Sequence, residues 1–437
     1  MRFFAERRRE RAVGDVVAGH HNSNRVLPLG QPLAYLLGLD SGRARAKFRV
    51  PCETVEVVPR IWRESEVLHA VRPWLDDVPR CLRDFGAWSL HAYVTGWALS
   101  EEPGGHPLDE ARIAELAGFF ARLAAVPAEA LPPRPEGWPG SGDSAGFLRF
   151  LADFTEHRVH RPHRPRFGAL FDALGIPPTV VGDFLGTRPP LTARPFVLLH
   201  TDVHRANVIV TPGPAGERLT VLDWELALYG DPLHDLATHV VRMGYDERER
   251  KLAVDLWTEA MHRAGHRDLT AGLDRDLGTY RGFEHVQSVF PDVLRAALAL
   301  PDDAEPRHYT AAATRVCRTL RRAWKDLAYD ASPADEPTAR QALRDWHTAD
   351  LENRAPTPPR NGTHDGPTGT GHEGPAPAGR RGPARHGRGG DGHGWCPDAD
   401  RPRGVTLAST PTPRPHPPLP GTTGPARPPE ALERPVH

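Results

Sequence analysis

Residues 200–207 read HTDVHRAN, set between the apolar runs PFVLL (195–199) and VIV (208–210). His200, Asp202, His204, Arg205 and Asn207 crowd into this short stretch, where both flanks are core-forming. Packing alone does not call for polar side chains at that density. The flanks predict strands over 196–200 and 206–210, and a returning strand over LTVLDWEL (219–226) follows the turn TPGPAGER (211–218). A hairpin of the last two strands brings Asn207 beside Asp223 on one edge, with Asp202 at the loop tip.

Two patterns of hydrophobic spacing flank this segment. On the N-terminal side, strand-like runs occur at 13–18, 25–29, 43–50, 54–62 and 89–99, separated in places by turn-forming pieces such as GHHNSN and LDSG. RESEVLHAVRPWL (63–75) interrupts them as a helix, with Val67, Leu68, Val71, Trp74 and Leu75 on one face. Pro59 removes a ladder donor, so the 54–62 strand should be short or at an edge. Beyond residue 99 the period becomes helical. DEARIAELAGFFARLAAV (109–126) carries Ile113, Leu116, Phe120 and Leu123 on one stripe. DSAGFLRFLADFTEHRV (143–159) opens on Asp143 or Ser144 as N-cap, and further helices are predicted over 231–244, 247–265, 279–300, 309–328 and 338–353. A small β-rich part followed by a larger helical part implies a cleft between them, where ligands bind.

Composition narrows the function classes. The chain has 437 residues, a formal net charge of −1 and 39 % hydrophobic residues. That charge gives no reason to expect a nucleic-acid partner. No uncharged apolar run reaches the ~18 residues of a membrane span, and the basic N-terminus MRFFAERRRERAVG has no apolar stretch after it, so a cytoplasmic protein is expected. The cysteines at 52, 81, 317 and 396 form no CxxC pair. Basic residues are nearly all arginine; lysine occurs only at 47, 251 and 325. From residue 353 onward the chain is Pro, Gly, Thr, His and Arg with few large apolar residues, which predicts a disordered tail over 353–437.

The chemistry follows from the residue types in the hairpin. A carboxylate and an amide oxygen are hard ligands that suit Mg²⁺, which takes few protein groups and completes its octahedron with phosphate and water. A further carboxylate held off the metal can orient a hydroxyl and accept its proton. Together these are the parts of a phosphoryl-transfer site.

His200-x-Asp202-x4-Asn207 followed by LDWE (222–225) resembles the catalytic core of the aminoglycoside phosphotransferase-like and choline kinase-type small-molecule kinases. The resemblance spans roughly residues 13–300. It implies an α+β, bilobal protein-kinase-like fold: a β-rich, nucleotide-binding N-lobe over 12–99 and a mostly helical C-lobe over 100–352. It implies ATP and Mg²⁺ as cofactors, a small-molecule hydroxyl as acceptor, Asp202 as the catalytic base, and Asn207 and Asp223 as metal ligands. Asp235, in GDPLHDLA (230–237), would brace the loop. In the N-lobe, Gly19 with Asn22 and Asn24 matches the turn whose backbone approaches the nucleotide phosphates. HAYVTG (91–96), with Tyr93, matches the connection between lobes that faces adenine. Two residues compete for the phosphate clamp. Lys47 stands seventeen positions before Glu64, its natural carboxylate partner; Arg60 lies on the run entering the Glu64 helix.

Other readings stand beside this one. Asp202 and Asn207 would serve equally as turn residues capping a tight loop. His200, Asp202 and His204 with Asp223 would suit a zinc- or iron-dependent hydrolase, although no HExxH or second ligand pair accompanies them. A catalytically inactive nucleotide-binding protein on the same fold is a third. The absence of G-x4-G-K-[ST] excludes a P-loop kinase at the level of motif. For the acceptor, Asp274, Asp276, Glu284 and Asp292 lie among aromatic residues after Asp223, a set that would suit a cationic acceptor such as an aminoglycoside or amino alcohol and is equally explained as a solvated helix face.

Overall fold

The change of hydrophobic period near residue 99 is a change of architecture. The computed structural model describes residues 15–18, 22–28, 34, 35, 37, 45–51, 56, 58–102, 107–214, 216–327 and 329–354, and the backbone alone for 15–18, 22–28 and 45–51. Residues 355–437, most of the tail expected to be disordered, lie outside this set, as do Gly19 and the turn that contains it.

The first part is a five-stranded antiparallel sheet in the order β1-β2-β3-β5-β4. Its strands are β1 (Asp15–Ala18), β2 (Asn22–Pro28), β3 (Arg45–Pro51), β4 (Cys81–Asp84) and β5 (Ser89–Ala92). Helix α1 (Glu64–Val71) comes between β3 and β4 in sequence. Glu64 and Glu66 in its first turn complement the positive end of the helix dipole, and the Glu66 side chain accepts from the Arg63 N–H at 3.1 Å. Val67, Leu68, Val71 and Leu75 are buried as the helical spacing predicts, but Trp74 is not. The helix stops at Val71, so Trp74 leaves the predicted face.

Two strand predictions change. The run 54–62 is no strand in its described residues: 58–63 form an irregular segment around buried Pro59, which supplies no ladder donor. The run 89–99 divides into β5 and a short β6 (Trp97–Ala98) in a different sheet. Gly96, at φ +135°, separates them; a Cβ there would strike the carbonyl of Val210, so only glycine lets the connector cross that strand. β4 carries no clear strand signal in CLRD and was not foreseen.

In the second part, β6 joins β8 (Val208–Gly213) and β9 (Gly216–Val221) in a three-stranded sheet, and β7 (Val197–Leu199) pairs with β10 (Leu228–Gly230). The helices begin with α2 (Glu110–Ala124), capped by Asp109 and burying the predicted stripe. Next comes α3 (Ser144–Phe154), capped by Asp143, which runs through a π-helical segment (Thr155–His160) into α4 (Arg161–Ala173). α5 (Val180–Gly186), α6 (Pro232–Arg242) and α7 (Glu247–Arg263) follow. The single helix predicted over 279–300 is α8 (Leu273–Gln287) and α9 (Val289–Leu298), and α10 (Pro306–Asp326) and α11 (Glu336–Arg354) complete the set. One contiguous apolar core runs from Val58 to Trp346, and α6 is buried along nearly its whole length.

Candidate active site

β7 delivers the polar loop. Its residues are fully packed, and the chain then turns sharply: Thr201 adopts φ 61°. A β-branched residue in that region is strained by about 1–3 kcal/mol. Asp235, on α6, holds the turn by accepting from the backbone N–H of His200 at 2.7 Å and of Thr201 at 2.8 Å. The Thr201 hydroxyl donates to the Leu226 carbonyl at 2.7 Å. Burial raises the Asp235 carboxyl to about 7, against those two donors.

His200 is wholly buried, and both ring nitrogens are engaged. Nδ1 accepts from the Asp202 N–H at 3.3 Å, and Nε2 donates to the Leu222 carbonyl at 3.0 Å. This pattern requires the neutral ring protonated on Nε2, and burial lowers its pKa to about 4. Its faces are occupied too, by edge contacts with Trp224 and Phe119. His200 therefore ties the loop to the returning strand and has no nitrogen to offer a metal, which counts against the zinc or iron reading. Among the described residues no group of three His, Cys, Asp or Glu side chains is arranged to hold a metal ion.

Asp202 presents its carboxylate at the centre. Oδ1 accepts from Arg242 of α6 at 2.7 Å, and Oδ2 accepts from the Asn207 amide at 3.0 Å. Burial pushes this carboxyl up, but a hydrogen bond from His204 and the charges of Arg242 and His204 outweigh it and hold the pKa well below the usual range. Arg242 itself bridges two carboxylates, reaching Glu284 of α8 at 2.6 Å.

Asn207 spends its amide N–H groups on Asp202, on the backbone carbonyl and on Oδ2, each at 3.0 Å. The amide oxygen is what remains to face a ligand. Leu222 donates its N–H to the Asn207 carbonyl at 2.8 Å, continuing the β8–β9 ladder and setting Asp223 next to Asn207. Asp223 takes the left-handed conformation, φ 70° and ψ 63°, and opens the turn Trp224–Leu226. Hard oxygen donors on adjacent strand ends fit Mg²⁺, which needs few protein ligands.

The N-terminal sheet reaches this point through α1. Glu64 Oε1 accepts from the Trp224 N–H at 3.1 Å, directly beside Asp223, and Glu64 Oε2 lies 4.0 Å from His91 on β5. Position 47 pairs with His91 across the β3–β5 ladder, so the two share a face of the sheet; the Lys47 side chain is outside the described residues. Arg60 lies in the irregular segment before α1 and pairs with Glu56 at 3.3 Å. Asn22 and Asn24 belong to β2, opposite Pro51 and Arg49, rather than to the turn itself; their side chains are likewise undescribed. Tyr93 stands, part exposed, on the connector between β5 and β6.

The four carboxylates expected to line an acceptor pocket part company. Asp276 is buried against Arg194, and Glu284 is taken by Arg242 and Gln287. Asp292 accepts from Thr319 at 2.8 Å. Asp274 lines a separate groove of about 510 Å³ with Val254 and His262. Sequence reasoning missed Arg194 and Arg242. In a chain whose basic residues are nearly all arginine, neither carries a signal of its own.

The model of a phosphotransferase enzyme family matches residues 25–272, more than half of the chain. The chain belongs to that family. It is a phosphotransferase, and the family's kinase-like architecture accounts for the sheet-plus-helices arrangement above. No curated protein matches it. Among solved structures, this phosphotransferase is similar to an ethanolamine kinase of Plasmodium vivax, with 14 % identity over 72 % of this chain and 85 % of that one and a TM-score of 0.49. It is similar to the choline kinase of Streptococcus pneumoniae, with 13 % identity over 75 % and 98 % and a TM-score of 0.42. A macrolide 2′-phosphotransferase of Brachybacterium faecium matches at 19 % identity over 72 % and 98 %, with a TM-score of 0.35. Among the described residues no helix is long and apolar enough to cross a membrane.

Proposed function

We propose that this phosphotransferase moves the terminal phosphoryl group of ATP to a hydroxyl of a small molecule, with Mg²⁺ held by Asp223 and the amide oxygen of Asn207. The observation that carries the reading is the division of labour around Asn207: its N–H groups are spent on Asp202, which leaves its oxygen for a ligand, and the β8–β9 ladder brings the Asp223 backbone next to it. Bound there, Mg²⁺ supplies positive charge to the phosphate oxygens.

Asp202 orients the acceptor hydroxyl and takes its proton. A carboxylate held this far below the usual range is a weak base at rest, so its work is alignment first and proton acceptance late, as a loose phosphoryl-transfer transition state requires. Arg242 fixes the direction of that carboxylate. Glu64 links the two lobes, proposed at 12–99 and 100–352, by joining α1 to the backbone after Asp223. Lys47 is the phosphate clamp in preference to Arg60, because Arg60 is engaged by Glu56 and position 47 stands opposite His91, which faces Glu64. The connector at Tyr93 would receive adenine, and the turn flanked by Asn22 and Asn24 the phosphates.

The test is ADP release from Mg²⁺-ATP across a panel of hydroxylated acceptors, with Asp202→Asn as control. Loss of turnover in the variant with nucleotide affinity kept supports the assignment. Turnover equal to the parent sinks it, and nucleotide binding without turnover on any acceptor would favour the inactive binding protein.

A further inference from the structure

We propose that the open face of α8 and α9 is the wall that meets the acceptor, and that Arg295 on it binds an oxyanion of that acceptor, a carboxylate or phosphate group. This rests on the reading above only in that Asp202 marks the acceptor side.

α8 passes into α9 without leaving the right-handed helical region: Ser288 has φ −69° and ψ −16°, its N–H donates to Glu284, and its carbonyl accepts from Asp292 at 3.0 Å. Between 282 and 297 every position is buried except 285, 288, 292 and 295. That spacing of three and four makes one partly exposed line on an otherwise buried helix pair, with His285 held by Asp326 and Asp292 by Thr319 of α10. Glu284, at the edge of the line, is already joined to Asp202 through Arg242. Eleven residues on, a helix returns to within about 20° of the same direction, which puts Arg295 over the same side.

Arg295 is the member of this line with donors to spare. Its nearest described anionic partner is Asp292 at 3.8 Å, beyond hydrogen-bond range, and its side chain keeps 37 % of its accessible surface. Burial lowers its pKa. Asp292 and Asp202 oppose that shift and Arg242 adds to it. Of the carboxylates that would recognise a cation here, Glu284 is spent on Arg242 and Gln287, and Asp292 has one oxygen on the Thr319 hydroxyl and the other turned to Arg295. A guanidinium fork whose N–H groups are not committed to hydrogen bonds suits a planar or tetrahedral oxyanion.

The experiment titrates the intact protein, loaded with Mg²⁺ and a non-hydrolysable ATP analogue, with matched alcohols in a calorimeter: glycerate against glycerol, gluconate against glucose, and choline and kanamycin as cations. The acids should bind ~10-fold or more tightly than their neutral partners, and Arg295→Gln should erase that advantage while leaving nucleotide affinity and Tm unchanged. Acids no tighter than neutral alcohols, preferred binding of choline or kanamycin, or an acid preference that survives Arg295→Gln would each overturn the inference. Turnover of choline or kanamycin that is abolished by Asp202→Asn would sink this inference and leave the phosphotransferase reading standing. Failure of the nucleotide analogue to bind would take down both.

Discussion

Two buried arginines, each bridging two carboxylates, do different work in the helical part of this phosphotransferase. Arg194 is sealed: its side chain and that of Asp231 are 0 % exposed and that of Asp276 is 1 %. It donates twice to Asp231, at 3.0 and 2.7 Å, and to Asp276 at 2.7 Å. The carboxylates are completed by the Leu233 N–H, the Tyr280 hydroxyl, the Thr192 N–H and Arg275. Nothing in that cluster is left for a ligand. Arg242 also bridges two carboxylates but is less enclosed, 19 % exposed against 17 % for Asp202. One of its carboxylates, Glu284, is enclosed; the other is open. A buried ion pair fully satisfied by protein is a brace, and the same pair with one side open is a means of aiming a reactive group.

The largest effect expected on this comparison is at the open cluster. Asp202→Asn should lower kcat by about 10²–10⁴ with little change in folding, read from ADP release alongside a melting curve. Next is the sealed cluster. Arg194→Met strands buried Asp231 without a cation and leaves Asp276 with Arg275 alone; it should cost about 3–5 kcal/mol in urea unfolding, while the folded fraction keeps its KM for nucleotide. If the rate collapses and stability does not, the brace has been misread. Arg242→Lys comes third: lysine keeps the charge but cannot fork between Asp202 and Glu284. A fall in kcat of about 10-fold or more, with nucleotide affinity retained, separates a positioning arginine from a purely structural one.

A smaller effect follows from pH. Burial lowers His200 and His239 to about 4 and His234 to about 3, so the folded protein keeps these rings neutral while the unfolded chain protonates them near 6.5. Their contribution is intact above that value and is lost as pH falls from 6.5 toward 4. Asp235, raised to about 7, pulls the other way, losing stability as pH rises from 3.8 through 7. With three rings against one carboxyl, the urea midpoint should be lower at pH 5.0 than at 7.5. Both nitrogens of His234 lack a hydrogen-bond partner, and its ring packs against Phe147 and Tyr280. His234→Phe should remove one such proton uptake and recover about 2 kcal/mol at pH 5. An unchanged pH slope in that variant would show that the ring is not buried neutral.

The β8–β9 hairpin was legible because its two apolar runs are joined by a short turn, so covalent spacing forces Asn207 and Asp223 to its open end. α2 and α3 were legible from period and caps. The 54–62 run misled because its β-branched residues outvoted Pro59, and β4 gave too weak a signal. The clamp could not be decided from spacing: Lys47 and Arg60 are both near Glu64 in sequence, and only the β3–β5 register sets position 47 opposite His91.

The amino-acid order by itself determined the loop, the hairpin and the set of oxygen donors they carry, since those residues are within about twenty positions of one another and local geometry brings them together. Tertiary structure alone decided what aims them. Asp235 and Arg242 arrive from α6, Glu284 from α8 and Glu64 from α1 on the far side of the chain. Which arginine seals a core and which holds a partly exposed carboxylate depends on the packing of whole helices, and no pattern within either arginine's own segment encodes it.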